Sequence, residues 1–294
     1  MNLVVFGHGY SAARFVALNR ARFSAVSVTT RSAERASALQ GGGLSARRFG
    51  PDGTDPGLAD DVAAAGAILV SVPPDAQGDP VLRSFGEAIA AARGLRWIGY
   101  LSTVGVYGDH AGAWVDETTP CRPVSERSVR RVEAEEGWLA LGREAGIPVH
   151  VLRLGGIYGP GQNALVNLRD GTARRIVKAG QVFSRIHVDD IAGATAASLD
   201  LALARPDQAG VCNVVDDEPA PPQDVVEYAA RLMGLPVPPD LPFETATLSP
   251  MARSFYGENK RVANRRLHEV LGYALLYPTY REALRALWEA GEGR

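Results

Sequence analysis

Cysteine is nearly missing from this chain. Its 294 residues hold two, Cys121 and Cys212, far apart and with no CxxC or Cys/His spacing, so neither a disulfide framework nor a zinc site is supported. An excess of one charge is missing as well. Thirty-one Lys and Arg face 33 Asp and Glu, leaving a formal net charge of -2, so no basic footprint for nucleic acid and no acidic tail is present. No apolar run approaches the ~20 residues of a membrane helix. The opening MNLVVFG lacks the basic start and longer apolar core of a signal peptide. The expectation is a cytoplasmic protein with no metal, no membrane and no nucleic acid among its partners. What remains is 46% hydrophobic and 22% charged residues, an ordinary globular profile with room for one large domain or a domain with a smaller lobe.

Short apolar β-type runs alternate with helical patterns in the first half. Runs at 2–6, 25–29, 67–72, 95–102 and 149–154 are interleaved with helices expected at 11–18, 32–39, 80–93 and 125–145. The runs are apolar on both faces, which suits a parallel sheet covered by helices on both sides. The expected fold is therefore α/β, a doubly wound parallel Rossmann sheet with a smaller C-terminal substrate lobe. After Leu154 the rhythm breaks. A glycine-rich loop, GGIYGPGQN, leads to a short helix at 165–170, the segment 181–186, a helix over 187–203 that Asp189 or Asp190 can cap, and a strand at 210–215. Prolines are dense beyond Asp216, with helices expected at 222–233 and 259–271; the glycine run 41–43 reads as a helix-end loop. The expected division assigns 1–154 and 187–215 to the dinucleotide domain, and 155–186 and 216–294 to the substrate lobe.

Directly after the first strand stands Gly7-His8-Gly9-Tyr10-Ser11-Ala12, a GxGxxA loop opening a helix. Gly7 permits the tight turn, Gly9 lets backbone approach a pyrophosphate, and Ala12 allows close helix–strand packing. The helix N-terminus, with Tyr10 and Ser11, offers NH groups to phosphate. An NAD site places an acid at the end of the second strand, to hold the ribose 2'-hydroxyl. This chain has Thr30-Arg31-Ser32 there and no acid before Glu34. Arg31 can fork onto a 2'-phosphate while Thr30 and Ser32 donate hydroxyls. NADP is expected over NAD. The alternative is that Arg31 is only a solvated surface residue.

These features, with LSTVGVYGDHAGAWVDETTPCRP (101–123), LRLGGIYGPG (152–161), SRIHVDDIA (184–192) and NRRLHEVLGYALLYPTYREALRAL (264–287), resemble the extended short-chain dehydrogenase/reductase superfamily, the NAD-dependent epimerase/dehydratases. The resemblance runs almost end to end. It is nearest to an atypical subgroup, through SVPPDAQGDPVL and RIHVDDIA. It implies that the ends of further strands, Ser71, Val72, Ser102, Leu154 and Ile157, border the cofactor. It implies that Thr103, four residues before Tyr107 of VYG, orients substrate, and that members pair as homodimers through a two-helix face. In the family a tyrosine on the following helix is the acid/base, and a lysine four residues later binds the nicotinamide ribose and depresses the tyrosine pKa. Pro123 and Glu135 fix the register, and the two places hold Arg127 and Arg131.

That exchange decides the chemistry. The i, i+4 spacing keeps both side chains on one helix face. Arg131 can still donate to ribose hydroxyls. Arg127 cannot replace the tyrosine, because guanidinium stays protonated in proteins whereas a general acid/base titrates near working pH and contributes about 10²–10⁴-fold. Tyr107 or Tyr158 can stand in for the missing acid; a substrate or water can carry the proton; or Arg127 binds an anionic substrate group. The plain alternative is a surface Arg127 paired with Glu126, Glu133 or Glu136. His187 is either a base near substrate or a structural histidine. Arg185 reaches a substrate phosphate or pairs with Asp189. His8 faces phosphate or solvent. Tyr10, Phe255 and Tyr256 line the pocket or pack the lobe. Pro73 and Pro74 after Ser71-Val72 are a second departure from the family, since they donate no NH.

Two functions follow. The first is an NADP-binding oxidoreductase or epimerase-like enzyme acting on a small molecule, either a nucleotide sugar or an anionic carbonyl compound. The second is a non-catalytic NADP-binding redox sensor or partner-binding module that kept the cofactor cradle and lost turnover.

Overall fold

The fold is taken from a computed structural model that describes residues 1–42 and 44–294. The third residue of the 41–43 glycine loop, Gly43, lies outside the described residues. The first strand, β1 (Asn2–Phe6), is buried on both faces, with Leu3 and Val5 in one core cluster and Val4 and Phe6 in another. It is followed by α1 (Tyr10–Asn19), β2 (Ala25–Thr30), α2 (Ala33–Gly41), β3 (Ser45–Gly50), β4 (Gly53–Thr54), α3 (Gly57–Ala63), β5 (Ala67–Val70), α4 (Pro80–Ala91) and β6 (Ile98–Thr103). Then come β7 (Trp114–Val115), α5 (Glu126–Ala145), β8 (Val149–Leu154), β9 (Gly156–Tyr158), α6 (Ala164–Arg169), β10 (Arg175–Val177), β11 (Arg185–His187), α7 (Val188–Ala204) and β12 (Gly210–Val214). The chain closes with α8 (Pro222–Leu232), β13 (Asp240–Pro242), α9 (Pro250–Phe255), β14 (Arg261–Val262), α10 (Arg265–Glu269) and α11 (Tyr280–Glu289).

Eight strands form one sheet in the order β12-β8-β6-β5-β1-β2-β3-β4, parallel except for the β3–β4 pair at one edge. Leu3 of β1 lies between Val26 of β2 and Ala67 of β5. Helices α1 and α7 bury Ala12, Phe15, Ile191 and Leu199 on one face. Helices α3, α4 and α5 bury Leu58, Phe85 and Trp138 on the other. This is a doubly wound Rossmann-like sheet. The winding reverses between β1 and β5, and ligands of such sheets bind beyond the carboxyl ends of the strands at that point. A smaller cluster joins Leu165 of α6, Ala229 of α8 and Leu284 of α11 beside β9 and β11, two strands that pair with each other outside the main sheet. No helix among the described residues is long and apolar enough to cross a membrane.

Several elements differ from the sequence expectation. Strand β3 was not expected, because SARRFG carries two arginines. It sits toward the sheet edge, where Arg47 reaches Asp61 at 2.8 Å. Helix α3 was likewise unexpected. The helix expected over 259–271 is instead β14 followed by the five-residue α10. Its first residues are committed to other partners: Asn259 accepts from the Val182 NH and donates to the Gly180 carbonyl, and Lys260 donates to the Gly108 carbonyl. Neither Asp189 nor Asp190 caps α7. His187 does, Nδ1 accepting from the Asp189 NH at 3.2 Å. Asp190 accepts from the Leu276 and Tyr277 NH groups and the Tyr273 hydroxyl, fastening the C-terminal segment to α7.

Candidate active site

The glycine loop leaves β1 at Gly7, whose φ is +90° and whose NH donates to Thr29 Oγ1 at 2.8 Å. A Cβ at Gly7 would stand 2.8 Å from Val72 Cγ1, so a side chain is excluded. A Cβ at Gly9 would meet nothing within 4 Å. Gly9 is also the N-cap of α1, and among the described residues no side chain caps the free NH groups of that first turn. An open glycine beside uncapped NH groups is what a pyrophosphate requires, so these residues fit a dinucleotide. Ala12 is fully buried beneath the loop, Ser11 is buried beside it, and the Tyr10 hydroxyl donates to the Pro160 carbonyl at 2.9 Å.

Past β2, Thr30 is half-buried while Arg31 and Ser32 are exposed. The Arg31 stem lies over Gly50, where an added Cβ would approach Arg31 Cγ to 3.2 Å. Ser32 caps α2, its hydroxyl oxygen accepting from the Arg35 NH. Arg35, missed in the sequence, turns its guanidinium back to the His8 carbonyl at 3.1 Å, within the glycine loop. Its signal was its place in the first turn of α2, where helical side chains lean toward the N-terminus.

A cavity of about 790 Å³ opens at the carboxyl ends of the central strands. Ser11, Ser71, Ser102, Thr103, Leu154 and Ile157 line it from the sheet side, as do Arg127 and Arg131 from α5. Tyr158, Arg185, Phe255, Tyr256, Glu258 and Lys260 close it from the other side. Twelve of the residues singled out in sequence as site or pocket candidates are thus brought together. Gly7, Gly9, Tyr10, Ala12, Thr30, Arg31, Ser32 and Val72 belong to the loop and strand ends outside the cavity wall.

Arg127 is exposed, stacks over the Phe255 ring at 5.2 Å and pairs with none of the glutamates expected for it. Glu126 is taken by Arg130. Arg131 donates to the Tyr100 hydroxyl at 2.9 Å and the Leu101 carbonyl at 3.1 Å. Thr103 Oγ1 accepts from the Gly105 NH, and the Ser102 hydroxyl donates to buried Glu135.

Two expected substrate contacts are corrected. Tyr107 is fully buried, its hydroxyl donating to Asn213 Oδ1 at 2.8 Å, and it does not reach the cavity. His187 is held by its capping role and packs edge-on to Tyr158 and Tyr277. Burial lowers its pKa to about 4, which keeps Nδ1 free to accept. A third correction concerns Arg185. It does not pair with Asp189, which Arg14 engages with both oxygens. Arg185 donates instead to the Phe183 and Ala220 carbonyls and borders a second cavity of about 470 Å³.

Tyr158 lines both cavities. Its hydroxyl has no hydrogen-bond partner among the described residues, and burial raises its pKa. Lys260 was missed because the helix expected over 259–271 hid it, and Glu258 stands just before that helix. Lys260 donates to Glu258 Oε2 at 2.6 Å and to the Gly108 carbonyl at 2.8 Å. Among the described residues no group of three His, Cys, Asp or Glu could hold a metal.

Residues 87–212 match the NAD dependent epimerase/dehydratase family. A 3-diazoavenalumate denitrifying reductase of Streptomyces is 31% identical over 193 residues, 61% of this chain and 58% of that protein, so little more than half of the reductase is matched. Protein YeeZ of Escherichia coli K12 is 30% identical over 75% of this chain and 76% of its own length. A solved, functionally unknown conserved protein from Silicibacter pomeroyi is 48% identical, with 99% of both chains covered and a TM-score of 0.85. With the glycine loop, the switch-point cavity and relatives aligned through most of its length, the chain belongs to the NAD-dependent epimerase/dehydratase family of the extended short-chain dehydrogenase/reductase superfamily.

Proposed function

We propose that this protein is an NADP-dependent oxidoreductase that reduces a small substrate carrying an anionic group. One observation carries the reading: the cavity at the switch point joins Thr103 and Ser102 of the sheet to three guanidinium groups, Arg127, Arg131 and Arg185. In this reading Gly7, Gly9, Tyr10, Ser11 and Ala12 hold the pyrophosphate, and Ser71, Val72, Leu154 and Ile157 border the nicotinamide. Bound there, the cofactor supplies a hydride. Thr103 orients the substrate, Arg131 steadies the ribose, and Arg127 and Arg185 draw in the anion. Arg31 and Arg35, with Thr30 and Ser32, hold the 2'-phosphate, which an acid at that place would repel. The relation to a reductase in Streptomyces supports a reductive direction.

The same reading assigns 1–154 and 187–215 to the cofactor and 155–186 and 216–294 to the substrate. It places the protein in the cytoplasm, where its two free cysteines stay reduced, and pairs it as a homodimer. A second reading, a non-catalytic NADP sensor, is favoured by one observation: arginines stand at the tyrosine and lysine places. The experiment titrates NADPH and NADH by fluorescence, then follows hydride transfer to nucleotide sugars and carboxylated acceptors. Tight NADPH binding with transfer supports the enzyme. Tight binding without transfer, unchanged in Arg127→Ala, supports the sensor. Binding of neither coenzyme removes both.

A further inference from the structure

If the cavity hosts hydride transfer, as just proposed, the nature of the acceptor follows from what its walls can do with a proton. When a ketone or aldehyde gains a hydride, a C–H bond forms and the C=O π pair moves onto oxygen. That alkoxide has to take a proton from its surroundings. Among the described residues of the wall, no group gives one up cheaply. Arg127, Arg131 and Arg185 keep their protons at any working pH. Lys260 is a buried ammonium on Glu258, whose side chain is 14% exposed. The Lys260 NH groups are engaged by the Glu258 carboxylate and the Gly108 carbonyl. Burial makes Tyr158 and Tyr256 weaker acids than free tyrosine. The Ser102 proton is spent on Glu135. The walls bind charge well and release protons poorly.

We propose that the acceptor reduced in this cavity already carries its positive charge, as an iminium or arenediazonium ion, on a molecule whose carboxylate is held by Arg127. Such acceptors need no acid. An iminium carbon gains the hydride, the C=N π pair moves onto nitrogen, and a neutral amine remains beside NADP⁺. An arenediazonium carbon gains the hydride as its C–N bond breaks, and dinitrogen leaves with that electron pair. The carboxylate offsets Arg127, Glu258 already offsets Lys260, and Arg131 and Arg185 donate to the Tyr100 hydroxyl and to backbone carbonyls.

The test uses the intact protein. NADPH binding is measured first by fluorescence, since its failure would remove the cofactor reading and this inference with it. Cyclic iminium carboxylates and carboxylated arenediazonium salts are then compared with keto acids and aldehydo acids of the same skeleton. NADPH consumption is followed against protein-free controls, and 4-deuterated NADPH is used to find the label on the product carbon by NMR. A general acid contributes about 10²–10⁴-fold, so kcat/KM for a cationic acceptor should exceed that of its carbonyl counterpart by about 100-fold or more. Equal or faster carbonyl reduction overturns the proposal, and so does NADPH binding with no cationic acceptor reduced. An Arg127→Tyr, Arg131→Lys double variant should gain carbonyl reduction by about tenfold or more, as a restored acid predicts.

Discussion

Arg153 and Glu135 form a buried ion pair behind the cavity wall. Arg153 Nη2 lies 2.7 Å and Nε 3.1 Å from Glu135 Oε2, with the side chains 7% and 3% exposed. The pair joins β8 to α5, and it also receives the Ser102 hydroxyl. The orientation of the helix that presents Arg127 and Arg131 therefore depends on it. Glu135→Gln strands a buried guanidinium, so unfolding stability should fall by ~3–5 kcal/mol. Urea denaturation followed by circular dichroism measures this. Pairing it with Arg153→Met should recover part of the loss, because both charges are then gone.

The two loop glycines should separate folding from binding. Gly7→Ala meets Val72 and holds a non-glycine residue at a φ of +90°, so both the melting temperature and NADPH affinity should drop. Gly9→Ala meets no protein atom, so the melting temperature should hold while affinity falls. Thermal unfolding and coenzyme fluorescence on both variants check this. Equal affinity in Gly9→Ala would mean that the pyrophosphate does not cross this loop.

Coenzyme choice should rest on Arg31 and Arg35. Hydrogen bonds to charged groups are worth ~1.5–3 kcal/mol, so Arg31→Ala and Arg35→Ala should each weaken NADPH by roughly 10–100-fold. NADH affinity should hardly change, since it offers no 2'-phosphate. Calorimetric titration of both coenzymes is the measurement, and a parallel loss for both would locate the arginines elsewhere than at that phosphate.

Asp216 should give the protein an unusual pH dependence. Both carboxyl oxygens are buried, and burial raises the pKa from 3.8 to about 8. Arg185 and the Glu218 backbone NH oppose this rise, while the Asp217 and Glu218 charges add to it. The folded state therefore binds more protons than the unfolded state between about pH 4 and pH 8, and stability falls as pH rises through that window. Each tenfold change in proton affinity between the two states is worth ~1.4 kcal/mol, so several kcal/mol are at stake. Asp216→Asn should flatten this slope and be the more stable protein at pH 8. Denaturation midpoints at pH 5 and pH 8 test it, and an unchanged slope in the variant would sink it.

Much of the fold was legible because it depends on local pattern. Two-faced apolar runs such as Asn2–Phe6 and Val149–Leu154 have few ways to be buried other than in a parallel sheet. Strand β3 was illegible because Arg47 finds its partner, Asp61, only through the tertiary fold. The region after Asn259 misled for a similar reason: helical spacing is present, but long-range bonds to Gly108, Gly180 and Val182 hold the backbone in another form. In the site, Tyr107 and His187 sit at family positions, yet their polar atoms are turned to Asn213 and to the α7 backbone.

The sequence by itself determined the parallel sheet, the glycine loop, the missing acid after β2 and the arginines at the tyrosine and lysine places. Each is a matter of residue type at a short, fixed spacing. Only the tertiary structure decided which side chains share a cavity. Glu258 and Lys260 meet Arg127 from a distant part of the chain, and Arg35 turns back to His8. Hydrogen bonding and burial choose such partners from the whole surface, and no local period in the chain records that choice.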